Sequence, residues 1–376
     1  MMPLDILVVN WQDIRNPQGG GAEVHIHEIF RRLVQHGHRV RLVCSNFPGG
    51  KREEDIEGVA VIRRGERNTF NWVAPGIVRQ ELIKRKPSVL VEDINKIPFF
   101  SPLYAVGLPI VVVVPHLFGE TAFQEASFFG ASYVYGMEKV IPKLYGGCRF
   151  VVISQSTKED LIRRGIPGEN IRVSLCGIDH QQYFPDFSRK SSVPLVLHVG
   201  RLKKYKKVED VLWSMKRVVL KCPTAKLVIV GAGDYQKSLA KMAQVLQLEN
   251  VELPGYVPRE ELVQLLQSAW VVVNTSRKEG WGLTAVEASA CGTPVVAYDV
   301  PGLRDSVSHQ RSGFLVPFGH VEELAQKVLE ILQDADLGRR LSRQAVEWAA
   351  QFSWERAARE MEEELLAAVN AETQTA

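Results

Sequence analysis

The chain has 376 residues, 45% hydrophobic and 24% charged, which suits two domains of ordinary size and excludes a disordered, collagenous or coiled-coil protein. Its formal charge is +3, with 22 basic against 19 acidic residues over positions 1–180 and 24 against 24 over 181–376, too small a surplus for a dedicated nucleic-acid binder. Five cysteines (Cys44, Cys148, Cys176, Cys222, Cys291) without any C-x-x-C pair point away from a disulfide framework or a zinc site and towards a reducing cytoplasm.

Short β-branched runs follow one another along the chain: DILVVN, HRVRLVC, VAVIR, SVLVED, PIVVVV, RFVVIS and IRVSL, then PLVLHVG, AKLVIVG, VELPG, WVVVNTS, TPVVAY and GFLVP. The first of them opens the chain without the basic and apolar regions of a signal peptide, and no apolar run approaches the roughly 20 residues of a membrane span. Between most runs lie amphipathic stretches such as Val24–His36, Val208–Lys221, Tyr235–Gln247, Glu260–Ala269 and Val321–Leu332, and Trp354–Val369 carries a further helical pattern. Strand and helix alternating at this spacing predict parallel sheets covered on both faces, which is why the strands read as continuous rather than alternating apolar runs. The series is interrupted at 183–194, YFPDFSRKSSVP, an unpatterned segment expected to link two domains, 1–185 and 190–354.

Four motifs carry chemistry. Gly19-Gly20-Gly21-Ala22-Glu23 opens a helix after the first strand, where backbone amides and the helix dipole suit an anion or a sugar hydroxyl; a turn without ligand is the alternative. The run PIVVVVPH delivers His116 to the C-terminal edge of a sheet, where ligands of open parallel sheets collect, although a lone His is more often structural. HVG-Arg201-Leu-Lys-Lys-Tyr-Lys206-Lys207 puts Arg201 and Lys206 in one strand-to-helix loop, so that a planar fork and a point charge can meet one diphosphate; Lys203, Lys204 and Lys207 read as solvated charges. The fourth is the densest: Glu279-Gly280-Trp281-Gly282-Leu283-Thr284, then Glu287 and Gly292-Thr-Pro294. Its glycines leave Glu279 in a loop and Glu287 inside a helix, where the two carboxylates can reach opposite ends of a ligand whose phosphates rest on the helix N-terminus. A strand end with Gly231 and the turn Gly255-Tyr256-Val257-Pro258 point at the same sheet edge, whereas Asp334-Ala-Asp336 reads as a surface helix end rather than a metal site.

The Glu279-x7-Glu287 block with G-W-G-L, the G-R-L-x-x-x-K at 200–206, G-Y-V-P before a helix and G-G-A-E at 20–23 resemble the retaining glycosyltransferases of family 4. The resemblance spans nearly the whole chain and implies the GT-B architecture, two Rossmann-like doubly wound domains facing each other across a cleft, with a last helix (about 355–376) crossing back onto the first. It further implies that Glu287 binds the ribose of a nucleotide sugar and Glu279 the hydroxyls of its sugar. Arg201 and Lys206 would bind the pyrophosphate together with amides around Gly282–Thr284, and the Tyr256–Val257 backbone would face the base. Gly20, Gly21 and His116 would face an acceptor held by the N-terminal domain. A glycine commonly follows the Lys; here Lys207 departs from the pattern.

The expected activity is transfer of a hexosyl group from a UDP-glucose or GDP-mannose type of donor to a hydroxyl of a glycan, a lipid-linked or a small molecule. No metal and no cofactor beyond the co-substrate is expected, because the basic pair supplies the charge that an ion would supply. A sugar phosphorylase, a nucleotide-sugar epimerase and a non-catalytic binding protein are the alternatives. Phe118, Phe123, Phe128, Phe129, Tyr133, Tyr135 and Tyr145, beside the basic stretches 31–41 and 79–86, suit either peripheral contact with the inner membrane face or ordinary helix core.

Overall fold

The computed structural model describes residues 3–375 other than 96 and 126. Among these, fourteen strands form two sheets. The first sheet holds β1 (Asp5–Val9), β2 (Arg39–Asn46), β3 (Glu53–Ile56), β4 (Val59–Glu66), β5 (Val89–Asp93), β6 (Ile110–Val114), β7 (Arg149–Val152) and β8 (Ile171–Val173), in the order β3-β4-β2-β1-β5-β6-β7-β8. The second holds β9 (Leu195–Val199), β10 (Lys226–Val230), β11 (Val251–Gly255), β12 (Val271–Asn274), β13 (Val295–Tyr298) and β14 (Gly313–Val316), in the order β11-β10-β9-β12-β13-β14. Both are doubly wound: the chain moves outward one way from β1 or β9, then returns and proceeds the other way. All pairings are parallel except β3 with β4.

The thirteen apolar runs of the sequence are thirteen of these strands. The fourteenth, β3, reads EEDI and lies exposed at a sheet edge, so it has no need of the apolar run that marks a strand buried on both faces. The helix Phe70–Lys84 also lacks a clear signal, because Pro75 sits inside it and its apolar stripe is weak.

The chain divides into two compact units, 1–177 with 354–376, and 178–353. The boundary therefore precedes the segment expected to be the linker, and residues 183–194 pack onto the second unit. Gln267 donates to the Phe184 carbonyl at 2.9 Å, Lys190 Nζ to Thr293 Oγ1 at 2.7 Å, and the Trp270 indole to the Ser191 carbonyl at 2.9 Å. A Pro- and Ser-containing composition signals irregular backbone, not independence from the neighbouring core.

The last helix, Trp354–Thr375, lies in the first unit. Met361 and Leu365 are fully buried there, and Glu362 pairs with His36 at 2.8 Å and His38 at 2.9 Å while Arg149 reaches Glu364 at 2.7 Å. Burial disfavours a charged His36, but the Glu362 and Glu355 carboxylates outweigh it and raise its pKa. Among the described residues no helix is long and apolar enough to cross a membrane.

Candidate active site

In the second unit the winding reverses at β9 and β12, which are hydrogen-bonded neighbours, and a crevice beyond the carboxyl ends of strands belongs at such a switch point. The loops that follow these two strands are laced together. Arg277 N donates to the Tyr205 carbonyl at 3.0 Å, and Thr275 Oγ1 lies 3.0 Å from the Lys206 carbonyl and 2.9 Å from that of Lys207. The lacing joins the side chains as well: Lys206 Nζ forms an ion pair with Glu279, whose same oxygen accepts from Ser276 Oγ at 2.7 Å.

The resemblance assigns Lys206 and Glu279 to different parts of a ligand; in the structure each is the other's counter-charge. The reason is burial, since their side chains are only 13% and 15% exposed and a lone charge there would lose its hydration without return. Burial alone would lower the pKa of Lys206, but Glu279 overrides it and the ammonium titrates above its ordinary value. Arg201 is exposed on the same loop, close enough for its charge to oppose that of Lys206. Lys203 pairs with Asp234 at 2.6 Å and Lys204 is exposed, so neither joins the cluster.

Lys207 has φ +51° and ψ +37°, the left-handed conformation that a glycine adopts without strain, immediately before the helix Val208–Lys221. The backbone at this position is thus one that suits a glycine, although the residue is a lysine. Lys207→Gly is expected to stabilise the protein by roughly 0.5–1 kcal/mol, reduced by the loss of its partly exposed pair with Glu209, and to leave activity unchanged. Denaturant titration checks this; a destabilised variant would mean that the Glu209 pair outweighs the backbone strain.

Glu287 lies half-buried in the helix Leu283–Ala290. Burial raises its pKa, partly offset by the nearby Tyr183 hydroxyl and by the charge of Arg259. Gly282 starts this helix at φ +87°, and a Cβ there would lie 2.8 Å from Ser306 Oγ. Beside it, the first-turn amides of Leu283 and Thr284 have no acceptor within the helix, and Gly280 leads into the turn.

The remaining expected ligand contacts differ in their surroundings. The Trp281 indole is buried, edge-on to Phe352 with ring centroids 5.2 Å apart, so the core takes the side chain and only its backbone borders the loop. A Cβ on Gly231 would sit 1.9 Å from the Gly200 carbonyl oxygen; that position needs glycine for two strand ends to touch, whether or not a ligand is near. Val257 is buried and Tyr256 is 80% exposed, which leaves the turn's backbone between them as the accessible feature.

In the first unit, Gly20 and Gly21 begin the helix Gly21–Gln35, but the Gly20 amide is already held by Glu23 Oε2 at 2.6 Å and the Gly19 amide by the Asn16 carbonyl at 2.8 Å. The amides of Gly21 and Ala22 remain as first-turn donors without a helix acceptor. His116 follows β6, half-buried, with its ring 4.9 Å from that of Phe118. The aromatic segment divides: Tyr145 is buried and its hydroxyl donates to Glu92 at 2.7 Å, whereas Phe128 and Phe129 are 71% and 84% exposed and so are not core.

Sequence reasoning passed over Tyr183, Arg259 and His198. His198, fully inside β9, donates through Nδ1 to the Val273 carbonyl at 2.9 Å, and burial lowers its pKa to about 4, so a neutral imidazole lies within electrostatic reach of Lys206 and Glu279. A polar residue inside an apolar strand run was its one signal. Nothing local marked Tyr183, because its partner is far along the chain.

Comparison with known proteins bears on the family and the fold. A model of Glycosyltransferase Family 4 matches residues 19–182, and one of Glycosyl transferases group 1 matches residues 179–348. An uncharacterized glycosyltransferase of Methanocaldococcus jannaschii is 26% identical over 339 residues, spanning 84% of this chain and 86% of its own length. N-acetyl-alpha-D-glucosaminyl L-malate synthase of Bacillus anthracis is 22% identical over 361 residues, spanning 88% and 89%. Among solved structures, sucrose-phosphate synthase of Thermosynechococcus elongatus has a TM-score of 0.80 at 23% identity, covering 95% of this chain and 97% of its own. Anabaena HepE, solved in complex with UDP-glucose, has a TM-score of 0.79 at 20% identity, covering 97% and 100%; both share the fold.

Proposed function

The chain belongs to the family 4 glycosyltransferases, enzymes of GT-B architecture, and from that premise we propose that it moves a hexosyl group from a UDP-glucose or GDP-mannose type of donor to a hydroxyl acceptor, with retention and without a metal. The observation that carries this reading is the meeting of Lys206, Arg201 and Glu279 where the β9 and β12 loops join at the switch point.

The chemistry follows from where charge develops. As the bond from the anomeric carbon to the diphosphate breaks, negative charge grows on the phosphate and positive charge on the ring. Arg201, Lys206 and the Leu283 and Thr284 amides are complementary to the first. A bound diphosphate competes for Lys206, which releases Glu279 towards the sugar hydroxyls of a donor. The acceptor attacks from the face that the leaving group vacates, and the leaving phosphate oxygen takes its proton; no side-chain nucleophile is required. His116 and the Gly21 and Ala22 amides are the acceptor-side groups. Exposed Phe128 and Phe129, with Lys139 Nζ 4.5 Å from the Tyr135 ring centroid, support contact of the first unit with a lipid surface and so a lipid-linked acceptor.

Thermal shift with UDP, GDP and ADP identifies the base, and release of nucleoside diphosphate from the matching sugar donors measures turnover. Activity is expected to persist in excess EDTA. Asp334 supports this: its carboxylate caps a helix, accepting from the amides of Asp336 at 3.0 Å and Leu337 at 2.9 Å, and Asp336 pairs with Arg339. Activity abolished by EDTA and restored by Mn²⁺ would contradict a metal-independent reaction.

A further inference from the structure

We propose that Glu138 and Thr157 are positioning residues for His116: from two different helices they hold the backbone on either side of it, and so present its imidazole to an acceptor hydroxyl in one orientation. The proposal rests on the reading of His116 as an acceptor-side group.

The loop that follows β6 is held residue by residue. Before His116, the Pro115 carbonyl accepts from Thr157 Oγ1 at 3.1 Å. Thr157 is buried near the start of the helix Gln155–Arg163, where the capping Ser154 Oγ accepts from the Thr157 amide at 3.1 Å and lies 2.9 Å from its hydroxyl. The Thr157 hydroxyl proton is committed to Pro115, so Ser154 is the donor between the two hydroxyls. After His116, Leu117 is buried in the core with Ile141, Tyr145 and Leu161. The next two amides both donate to the Glu138 carboxylate, Phe118 to Oε1 at 2.6 Å and Gly119 to Oε2 at 2.9 Å. Phe118 is right-handed helical at φ −71° and Gly119 left-handed at φ +55°, the pairing that turns successive amides towards one anion. Here that anion is a side chain of the protein, so these amides are spoken for before any ligand arrives.

The placement of Glu138 is costly unless it serves this loop. It is the last residue of the helix Phe128–Glu138 and fully buried, where the helix dipole opposes a negative charge and hydration is lost. The two amides, with Arg164 Nη1 3.3 Å from Oε2, offset both penalties. Arg164 also pairs with Asp160 at 3.4 Å, so neutralising Glu138 does not strand the cation. With positions 115, 117, 118 and 119 fixed, little beyond the two side-chain torsions of half-buried His116 is left to be ordered when an acceptor binds.

Glu138→Gln keeps the shape but turns one acceptor into a donor facing an amide. Thr157→Val removes the hydroxyl, and Thr157→Ser keeps it. The experiment follows nucleoside diphosphate release from UDP-glucose or GDP-mannose, whichever wild type turns over, with water as acceptor. It compares wild type, these three variants, His116→Ala, and His116→Ala combined with Glu138→Gln. Calorimetric titration with UDP, GDP and ADP and amide hydrogen exchange over 116–121 accompany it. Glu138→Gln should lower turnover about tenfold to a hundredfold, the cost of a reacting group misplaced by a fraction of an ångström to an ångström, and leave nucleotide affinity unchanged. Thr157→Val should lose less, and Thr157→Ser should restore the wild-type rate. On the His116→Ala background Glu138→Gln should change nothing, because it acts through the imidazole. The Phe118 and Gly119 amides should exchange slowly in wild type and quickly in Glu138→Gln, while β5, β6 and β7 stay protected. Wild-type turnover in Glu138→Gln, or the same fold-loss on both backgrounds, would overturn the proposal and make Glu138 a pin of the fold. Fast exchange of both amides in wild type would overturn it whatever the turnover. Wild-type turnover in His116→Ala would overturn the acceptor-side reading of His116 and the proposal with it.

Discussion

Arg201→Ala and Lys206→Ala are each expected to lower turnover about a hundredfold, on the order of 3 kcal/mol in the barrier, the cost typical of removing one preorganised donor from a developing anion. The ground-state diphosphate is already charged, so part of the loss must appear in donor affinity. Because both side chains act on one group, the double variant should fall short of the product of the single losses. Lys206→Ala has a second consequence: it strips Glu279 of its counter-charge in a half-buried position, so its unfolding midpoint should fall while that of exposed Arg201→Ala does not. Lys203→Ala and Lys204→Ala are the controls, one tied to Asp234 and the other solvated, and should change the rate by less than about threefold. The measurement is kcat and KM of all these proteins at fixed ionic strength. Controls as damaging as Arg201→Ala would turn the specific clamp into a diffuse basic patch.

Arg63→Leu is expected to cost about 3–5 kcal/mol of stability at neutral pH, the usual penalty for removing one partner of a buried pair. Arg63 and Asp13 have side chains 0% and 1% exposed and meet through two nitrogens at 2.7 and 2.8 Å, and Arg63 also reaches Glu54 at 2.9 Å. The pair ties the loop after β1, which leads to Gly19–Gly21, to β4. Burial opposes ionisation of Asp13, but the Arg63 guanidinium and the Arg15 amide prevail and hold its carboxyl below the ordinary range. In the wild type this pair therefore stabilises above the unfolded carboxylate pKa and fades as acid drives the pH down through the folded value. Without Arg63 the sign reverses: a buried carboxylate with no cation has a raised pKa, and its penalty grows as the pH rises. The difference between the two proteins should be larger at pH 7 than at pH 4 in denaturant titrations, and Asp13→Leu with Arg63→Leu should be less damaging than Arg63→Leu alone. A pH-independent difference would show that Arg63 contributes packing and not charge.

The parts of this protein that a sequence displays are those held by local rules. Apolar runs marked thirteen strands, most of them buried on both faces, and the glycines around Glu279 and Glu287 showed which carboxylate is in a loop and which in a helix. What stayed hidden depends on partners distant in the chain. The Lys206–Glu279 pair joins two loops that only the sheet order makes adjacent, and Arg63 on β4 reaches Asp13 in the loop after β1 past the one intervening strand, β2. The segment 183–194 misled for the same reason, since its hydrogen bonds go to Gln267, Trp270 and Thr293 and none is visible in its composition. Lys207 is the converse case: a residue that looked wrong for the motif adopts the left-handed backbone that a glycine takes without strain.

The division of labour between the two glutamates is tested most directly by calorimetric titration of a nucleoside diphosphate into wild type, Glu287→Ala and Glu279→Ala. Glu287→Ala should bind about tenfold or more weakly, since its partner, the ribose, is present whether or not a sugar is attached. Glu279→Ala should bind at least as tightly as wild type, because Lys206 no longer has to leave a carboxylate to meet the diphosphate, while turnover of the sugar donor falls. Equal losses of nucleotide affinity in the two variants, or a wild-type protein that binds no nucleoside diphosphate at all, would contradict the account.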